Sequence, residues 1–380
     1  MNFLTRLSKR KGMDILLIIS VVLGSTALIY LPFVTDTLQY LGFKSGASMQ
    51  EIYQNYDGLY YLVPAVSWYS PEAITAMRLE FSLPLEYYAA HLPLYPFFIA
   101  LIAPIFGLLK SMLAVTILFS IVGSFVLYYL VKKLTLSESP LLLIFVFLFL
   151  PRFLIVRSIG APETLFIALI LGSIFCFEHK RYFWAGLFGG LSVMTKTPGI
   201  LLFVAYGLVF LEEMFRHKSF SFRWFWILLI PAGLLAVFSL YALQYQNFFA
   251  FFNTGGVVPM PYLFSVFQAD AKWVDTIWVE EILLYFFFYL LAVISLWKSK
   301  HRSLFYFPLV FLGAASFVQH RDLSRYMLPL WPFALIAFER LFTSKRFLLA
   351  LCILLPALYL YAWNFLQYNI IPVADWRPFL

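Results

Sequence analysis

Long apolar runs recur along almost the whole chain, and they fix what it can fold into. Stretches at 13–33, 112–131, 140–157, 162–178, 183–195, 198–212, 224–244, 281–297, 304–318, 326–341 and 347–364 are too long for strands and nearly free of charge. Each reads as a membrane helix, about 11 in all. With 63% apolar and 12% charged residues, no surface remains that could cover a water-soluble core. The fold class is an all-α polytopic membrane protein without a soluble domain. The first run follows a basic segment and has no small-residue cleavage site, so it reads as a retained helix and not as a signal peptide. The two cysteines, Cys176 and Cys352, lie inside apolar runs, which argues against a disulfide framework.

The formal charge of +8 resolves into short basic clusters between the runs, so it orients the protein in a bilayer and does not mark a nucleic-acid binder. The stretch Leu92–Leu109, with Pro93, Pro96 and Pro104, decides the parity of the topology. If it lies in the interface, Arg6, Lys9, Arg10 and Lys11 share the cytoplasmic side with Lys132-Lys133, His179-Lys180-Arg181, the Arg216–Arg223 segment, Lys298–Arg302 and Lys345-Arg346. If it spans, the later five clusters fall outside. The charge rule therefore predicts a juxtamembrane or re-entrant segment kinked by proline. The segments 33–110, 157–163, 196–198, 245–280 and 320–326 then face outward. Several spans beside them are short, which predicts a cavity open to that side.

Charges at membrane depth mark either paired structure or a site. Asp57, in EIYQNYDGLYYLVP, stands among Tyr56, Tyr60 and Tyr61; an aspartate before glycine also commonly starts a helix. Glu163, in SIGAPETLF, follows Pro162, where the helix dipole alone would favour an acid. Lys196, in MTKTPG, can snorkel or face a phosphate. Arg325 and Tyr326, in HRDLSRYMLP, can form an interfacial belt with Asp322 as internal partner, and His91, in HLPLYP, can cap backbone. Further outward-facing acids and bases include Arg152, Arg157, Asp270, Lys272 and Asp275. No cluster of His, Cys or carboxylates has metal-ligand spacing, so neither metal nor cofactor is expected.

In order, YDGLYY, HLPLYP, SIGAPETLF, a basic turn with WAGLFGGLSVMTKTPG, and RYMLPLWP resemble the PIG-V-like mannosyltransferases of the GT-C glycosyltransferase class. The resemblance runs from about residue 50 to 335. It departs at Tyr56 and Lys196, where the family usually has Trp and Arg. It implies an inverting enzyme that moves a hexose, mannose by family habit, from a polyprenyl- or dolichyl-phosphate sugar to a lipid-linked glycan or glycolipid acceptor on the extracytoplasmic side. By that mapping Asp57 and Glu163 are the catalytic acids, Asp57 being the base. Lys196, Arg325, Tyr326 and Arg157 approach the donor phosphate, and Tyr56, Tyr60, Tyr61 and His91 line the substrate. The module at 1–244 would hold seven spans and the catalytic loop 34–111, with juxtamembrane helices in that loop. The module at 245–380 would hold the loop 245–280 and four spans. The implied setting is a prokaryotic plasma membrane or the endoplasmic reticulum, with the N-terminus cytoplasmic. The residues alone also admit a lipid or sugar transporter, for which an internal inverted repeat is wanting, or a non-catalytic membrane subunit.

Overall fold

A computed structural model describes residues 11–80, 83–218, 221–254, 259–268 and 279–380. Arg6, Lys9, Arg10, Asp270, Lys272 and Asp275 lie outside the described residues. Helices α1 (Lys11–Thr35), α2 (Met49–Tyr53), α3 (Gly58–Ser67), α4 (Pro71–Ala76), α5 (Leu94–Phe106) and α6 (Leu108–Lys133) lead into α7 (Pro140–Leu148), α8 (Pro151–Val156) and α9 (Glu163–Glu178). There follow α10 (Tyr182–Val193), α11 (Leu201–His217), α12 (Leu229–Tyr245), α13 (Glu280–Leu296), α14 (Ser303–Ala315), α15 (Leu323–Tyr326), α16 (Trp331–Ala337), α17 (Glu339–Phe342) and α18 (Lys345–Tyr368). The described chain is all-helical apart from one isolated bridge, between Asn55 and Ile370. Among the described residues, five helices are long and apolar enough to cross a membrane: Gly12–Thr35, Leu108–Lys133, Thr197–Arg216, Phe222–Tyr245 and Lys345–Tyr368.

Two runs that read as continuous spans are broken. The 140–157 run divides into α7 and α8 around Phe149 and Leu150, because Pro151 cannot continue the preceding helix. The 326–341 run is parted by Pro329 and Pro332 into the end of α15, a 3-10 turn at Leu328–Leu330, α16 and the start of α17. Carbonyls released by such breaks need donors in an apolar interior. The Leu148 carbonyl accepts from Arg157 Nε at 3.1 Å, and the Phe147 carbonyl accepts from Trp331 Nε1 at 3.1 Å. The proline-rich segment ahead of α6 forms the 13-residue α5, about 20 Å long against the roughly 30 Å of a hydrocarbon core. Gly107 turns the chain directly into α6, and Leu94 N–H donates to the Met194 carbonyl at 3.0 Å.

The helices sort polar groups between two ends. At one end Lys132 meets Asp14 at 3.6 Å, with Tyr128 hydrogen-bonded between them. At the same end His301 meets Glu178 at 2.8 Å, Arg302 meets Glu212 at 2.6 Å, and Ser137 donates to Glu339 at 2.7 Å. The described basic clusters Lys132-Lys133, His179-Lys180-Arg181, Lys298–Arg302 and Lys345-Arg346 flank the helix ends here. The opposite end carries Asp57, Glu163, Lys196 and Arg325. Between the two lies α9, buried on nearly all faces by α6 and α10.

Small residues set the spacing of α10 against α12. A Cβ on Gly190 would stand 2.5 Å from the Leu229 carbonyl oxygen, and one on Gly233 would stand 2.5 Å from the Gly190 carbonyl oxygen. Both obstacles are backbone, so a methyl group forces the helices apart. Gly233→Ala is expected to cost about 1–3 kcal/mol, the usual range for overpacking, read as a lower midpoint in detergent denaturation. An unchanged midpoint would show that the close approach does not limit the packing.

Candidate functional site

The loop carrying Asp57 is pinned before it reaches the aspartate. Ser48 and Glu51 form a capping box that starts α2. Asn55, fully buried, donates from Nδ2 to the Leu366 carbonyl at 2.9 Å, and Asn369 Nδ2 donates to Asn55 Oδ1 at 3.3 Å. Ile371 N–H donates to the Gln54 carbonyl at 2.9 Å, so the segment after α18 straps the loop from the far end of the chain. Tyr56 then takes φ +49°, a left-handed conformation that costs a non-glycine residue on the order of 1 kcal/mol. Gly58 follows because a Cβ there would come within 3.1 Å of the Gly160 carbonyl oxygen.

Asp57 occupies the N-cap position of α3 yet makes no side-chain cap bond. Capping therefore does not account for it. Its carboxylate, 44% exposed, faces Arg325 with Oδ2 3.6 Å from Nη1. Arg325, only 5% exposed, turns its Nε to Glu163 Oε1 at 2.8 Å, and Lys196 Nζ meets the same oxygen at 2.8 Å. Glu163 is buried at 1% exposure, and its Oε2 has no hydrogen-bond partner among the described residues. The side chain thus serves two cations and not the helix terminus. Tyr56 lies under the Arg325 guanidinium, 4.1 Å from Cζ to the ring centroid, and its hydroxyl accepts from Arg152 Nη1 at 2.7 Å. Tyr326 stands 5.4 Å from Lys196 Nζ. His91 and Tyr60, Tyr61 and Tyr87 form an aromatic wall, with ring centroids 4.7–5.6 Å from the imidazole. Burial pushes the His91 imidazole down to about 4, so the ring is neutral at physiological pH. Burial also holds Lys196 below the usual lysine range, with Arg325 adding to the effect and Glu163 opposing it.

Two expectations require correction. Arg157 does not join the phosphate candidates: it is completely buried, and its nitrogens go to Ser25 Oγ at 2.8 Å, Thr26 Oγ1 at 3.0 Å and the Leu148 carbonyl. The break before Pro151 turns it into α1 and leaves Arg152, on the first turn of α8, facing the site. Asp322 is the ion partner of that Arg152, at 3.7 Å, rather than of Arg325. Asp57, Glu163, Lys196, Arg325, Tyr326, Tyr56, Tyr60, Tyr61 and His91 are brought to one end of the molecule. The sequence signal for Arg152 was a charge one residue past a proline within an apolar run.

Over this geometry, comparison with known proteins adds a fold and a partial family match. The chain is similar to a crystal structure of the Archaeoglobus fulgidus oligosaccharyltransferase tethered with an acceptor peptide, at 14% identity and a TM-score of 0.53. The likeness covers 96% of this chain and 56% of that chain. The fold is of the GT-C type. Residues 90–243 match the family model described as dolichyl-phosphate-mannose-protein mannosyltransferase. That stretch holds His91, Arg152, Glu163 and Lys196 but neither Asp57 nor Arg325. No curated protein matches the chain.

Removing one member of a buried ion cluster leaves the others uncompensated, typically at 3–5 kcal/mol. Glu163→Gln is accordingly expected to lower the denaturation midpoint more than Lys196→Met. The Glu163→Gln/Lys196→Met pair should be less costly than the sum of the two. Additive losses would argue against the shared oxygen.

Proposed function

We propose that this protein is an inverting GT-C glycosyltransferase of PIG-V-like kind. It moves a hexose, mannose in our reading, from a polyprenyl- or dolichyl-phosphate sugar to a lipid-linked glycan or glycolipid. The observation that carries the reading is the half-exposed Asp57 carboxylate beside a buried cation pair, Lys196 and Arg325, anchored on Glu163. The family match over 90–243 and the GT-C fold support the reaction class.

Two carboxylates in unlike environments take unlike roles. Glu163 has no access to a substrate proton: it is buried, and one of its oxygens is fully engaged. It is a positioning residue that aims Lys196 and Arg325. Asp57 is accessible and its carboxylate faces the site beside Arg325, so it accepts the proton of the acceptor hydroxyl. As that oxygen forms its bond to C1 from the face opposite the phosphate, the C1–O bond to the polyprenyl phosphate breaks and the electron pair leaves with the phosphate. Protonated Asp57 no longer neutralises Arg325, whose positive charge is then left to offset the negative charge gained by the leaving phosphate. With Lys196 this is charge stabilisation by groups already in place. Arg152, held by Tyr56 and Asp322, takes the third cationic position that Arg157 does not fill. Tyr326 flanks the phosphate, and Tyr60, Tyr61 and His91 wall the sugar. No metal is invoked in this scheme.

In membranes supplied with a radiolabelled polyprenyl-phosphate hexose, Asp57→Asn is expected to lose between about a hundredfold and ten-thousandfold in transfer while still binding donor; transfer at the wild-type rate would remove the base. Lys196→Ala and Arg325→Ala should instead weaken donor binding. The alkaline limb of transfer should fall below the roughly 10.4 of a free lysine, because Lys196 loses its proton early. In Glu163→Gln it should move lower still, since Glu163 is what opposes the loss; a limb unmoved by that change would separate it from Lys196.

The orientation we propose puts the basic end in the cytoplasm and the site on the other side. A cysteine placed near Lys132 should resist an impermeant thiol reagent in sealed right-side-out vesicles, and ready labelling would invert the topology.

A further inference from the structure

The basic turn between α9 and α10 plays no part in the proposed transfer, and it borders a cavity of its own. The turn reverses in Schellman fashion, Lys180 N–H donating to the Phe177 carbonyl at 2.8 Å and Arg181 N–H to the Cys176 carbonyl at 2.9 Å. Across from it the 3-10 helix Phe222–Leu228 approaches α10 so closely that a Cβ on Gly186 would stand 2.0 Å from the Trp226 carbonyl oxygen. Between the two elements lies a cavity of about 390 Å³, within the range of small-ligand sites, lined by Lys180, Arg181 and Arg223 together with Phe183, Trp184 and Trp226.

Three features of this cavity point to one ligand chemistry. First, cations from two separate elements converge on it, and among the described residues none of the three makes an ion pair. Glu178, the neighbouring acid on α9, is engaged by His301 and Ser303. Second, α10 begins at this cavity, and its N-cap residue Arg181 offers no side-chain cap, so the amide end of the helix adds to the positive field. Third, the aromatic walls are exposed, Phe183 at 39%, Trp184 at 49% and Trp226 at 48%, at the basic end of the membrane helices. Such rings take headgroup level, with an apolar body toward lipid.

We propose that this cavity binds the phosphate of an anionic phospholipid, with Lys180, Arg181 and Arg223 around the headgroup and Phe183, Trp184 and Trp226 against its glycerol and upper acyl chains. Basic pockets between membrane helices suit such headgroups, whereas isolated surface lysines attract them only diffusely. The site stands at the end of the molecule opposite Asp57 and does not depend on the transfer reaction.

The backbone supplies an unusually clean variant. Lys180 has φ +57°, where glycine is the low-cost residue, so Lys180→Gly removes the charge while relaxing the turn. The experiment titrates purified, delipidated protein with phosphatidylglycerol, phosphatidylcholine or inorganic phosphate and reads bound ligand by native mass spectrometry. Wild type is expected to retain one phosphatidylglycerol beyond the diffuse background and to show no matching phosphatidylcholine. Lys180→Gly should weaken that binding about fivefold, and Lys180→Gln/Arg181→Gln/Arg223→Gln on the order of a hundredfold. Lys298→Gln/Lys345→Gln/Arg346→Gln removes equal charge from the same end and should leave it intact. Equal losses in the two triple variants would overturn the site in favour of a general surface potential. Retained phosphatidylglycerol in Lys180→Gly and the cavity triple variant would overturn it outright. Displacement by inorganic phosphate at matched concentration would reassign the cavity to a soluble anion. Should the triple variant fail to fold, Lys180→Gly decides alone, because its denaturation midpoint is expected to equal or exceed that of wild type.

Discussion

One buried carboxylate oxygen holds the candidate site together. Glu163 Oε1 receives Lys196 and Arg325, each at 2.8 Å, and thereby joins the start of α9, the turn after α10 and the short α15. Those segments are far apart in sequence and none is long enough to define its own position. An isolated carboxylate or ammonium at this depth would be prohibitively desolvated, so the three charges are stable only in company. Their mutual need fixes where three helix ends meet, and the candidate site is built on that meeting point. Among the described residues Asp57 joins the cluster through its ion pair with Arg325, at a longer distance and with access to solvent. The arrangement separates a buried anchor from the proposed base by a single guanidinium.

The same economy explains why so many of the membrane helices are interrupted. An unbroken helix satisfies its own backbone and offers nothing at its middle. Proline at 151, 329 and 332 opens α7–α8 and the 326–342 region, and each opening exposes carbonyls that a buried donor must meet. Arg157 and Trp331 meet two of them. The breaks let Arg152 and Arg325 enter the site from short helices.

Much of this was legible in residues. In a chain with so little charge, the ionised groups near one predicted face were few, and Asp57, Glu163, Lys196 and Arg325 stood out for that reason. The arginines of the 140–157 run were not separable in the same way. With the run read as one helix, Arg157 lies at its outer end and Arg152 a turn and a half below. The break at Phe149 and Leu150 rotates the second piece, so the deeper-looking arginine reaches the site and the terminal one packs against α1. The pairing of Asp322 inverted for the same cause. The strap from residues 369–371 left no trace in the pattern either, since it works through backbone groups and asparagine side chains that carry no periodicity.

That strap has a consequence for how the molecule is made. The Asp57 loop is synthesised early, between α1 and α3, but the groups that seat it follow α18. Until Lys345–Tyr368 has been inserted and Asn369 to Ile371 have closed on Gln54 and Asn55, the left-handed turn at Tyr56 lacks its ties to the segment after α18 and has the side-chain contacts to Arg152 and Arg325. The strained turn preceding the candidate base is therefore clamped only after α18 has been made. A chain that had inserted its helices as far as α15 would carry the ion cluster before it carried a fixed Asp57, so the anchor precedes the proposed base that depends on it.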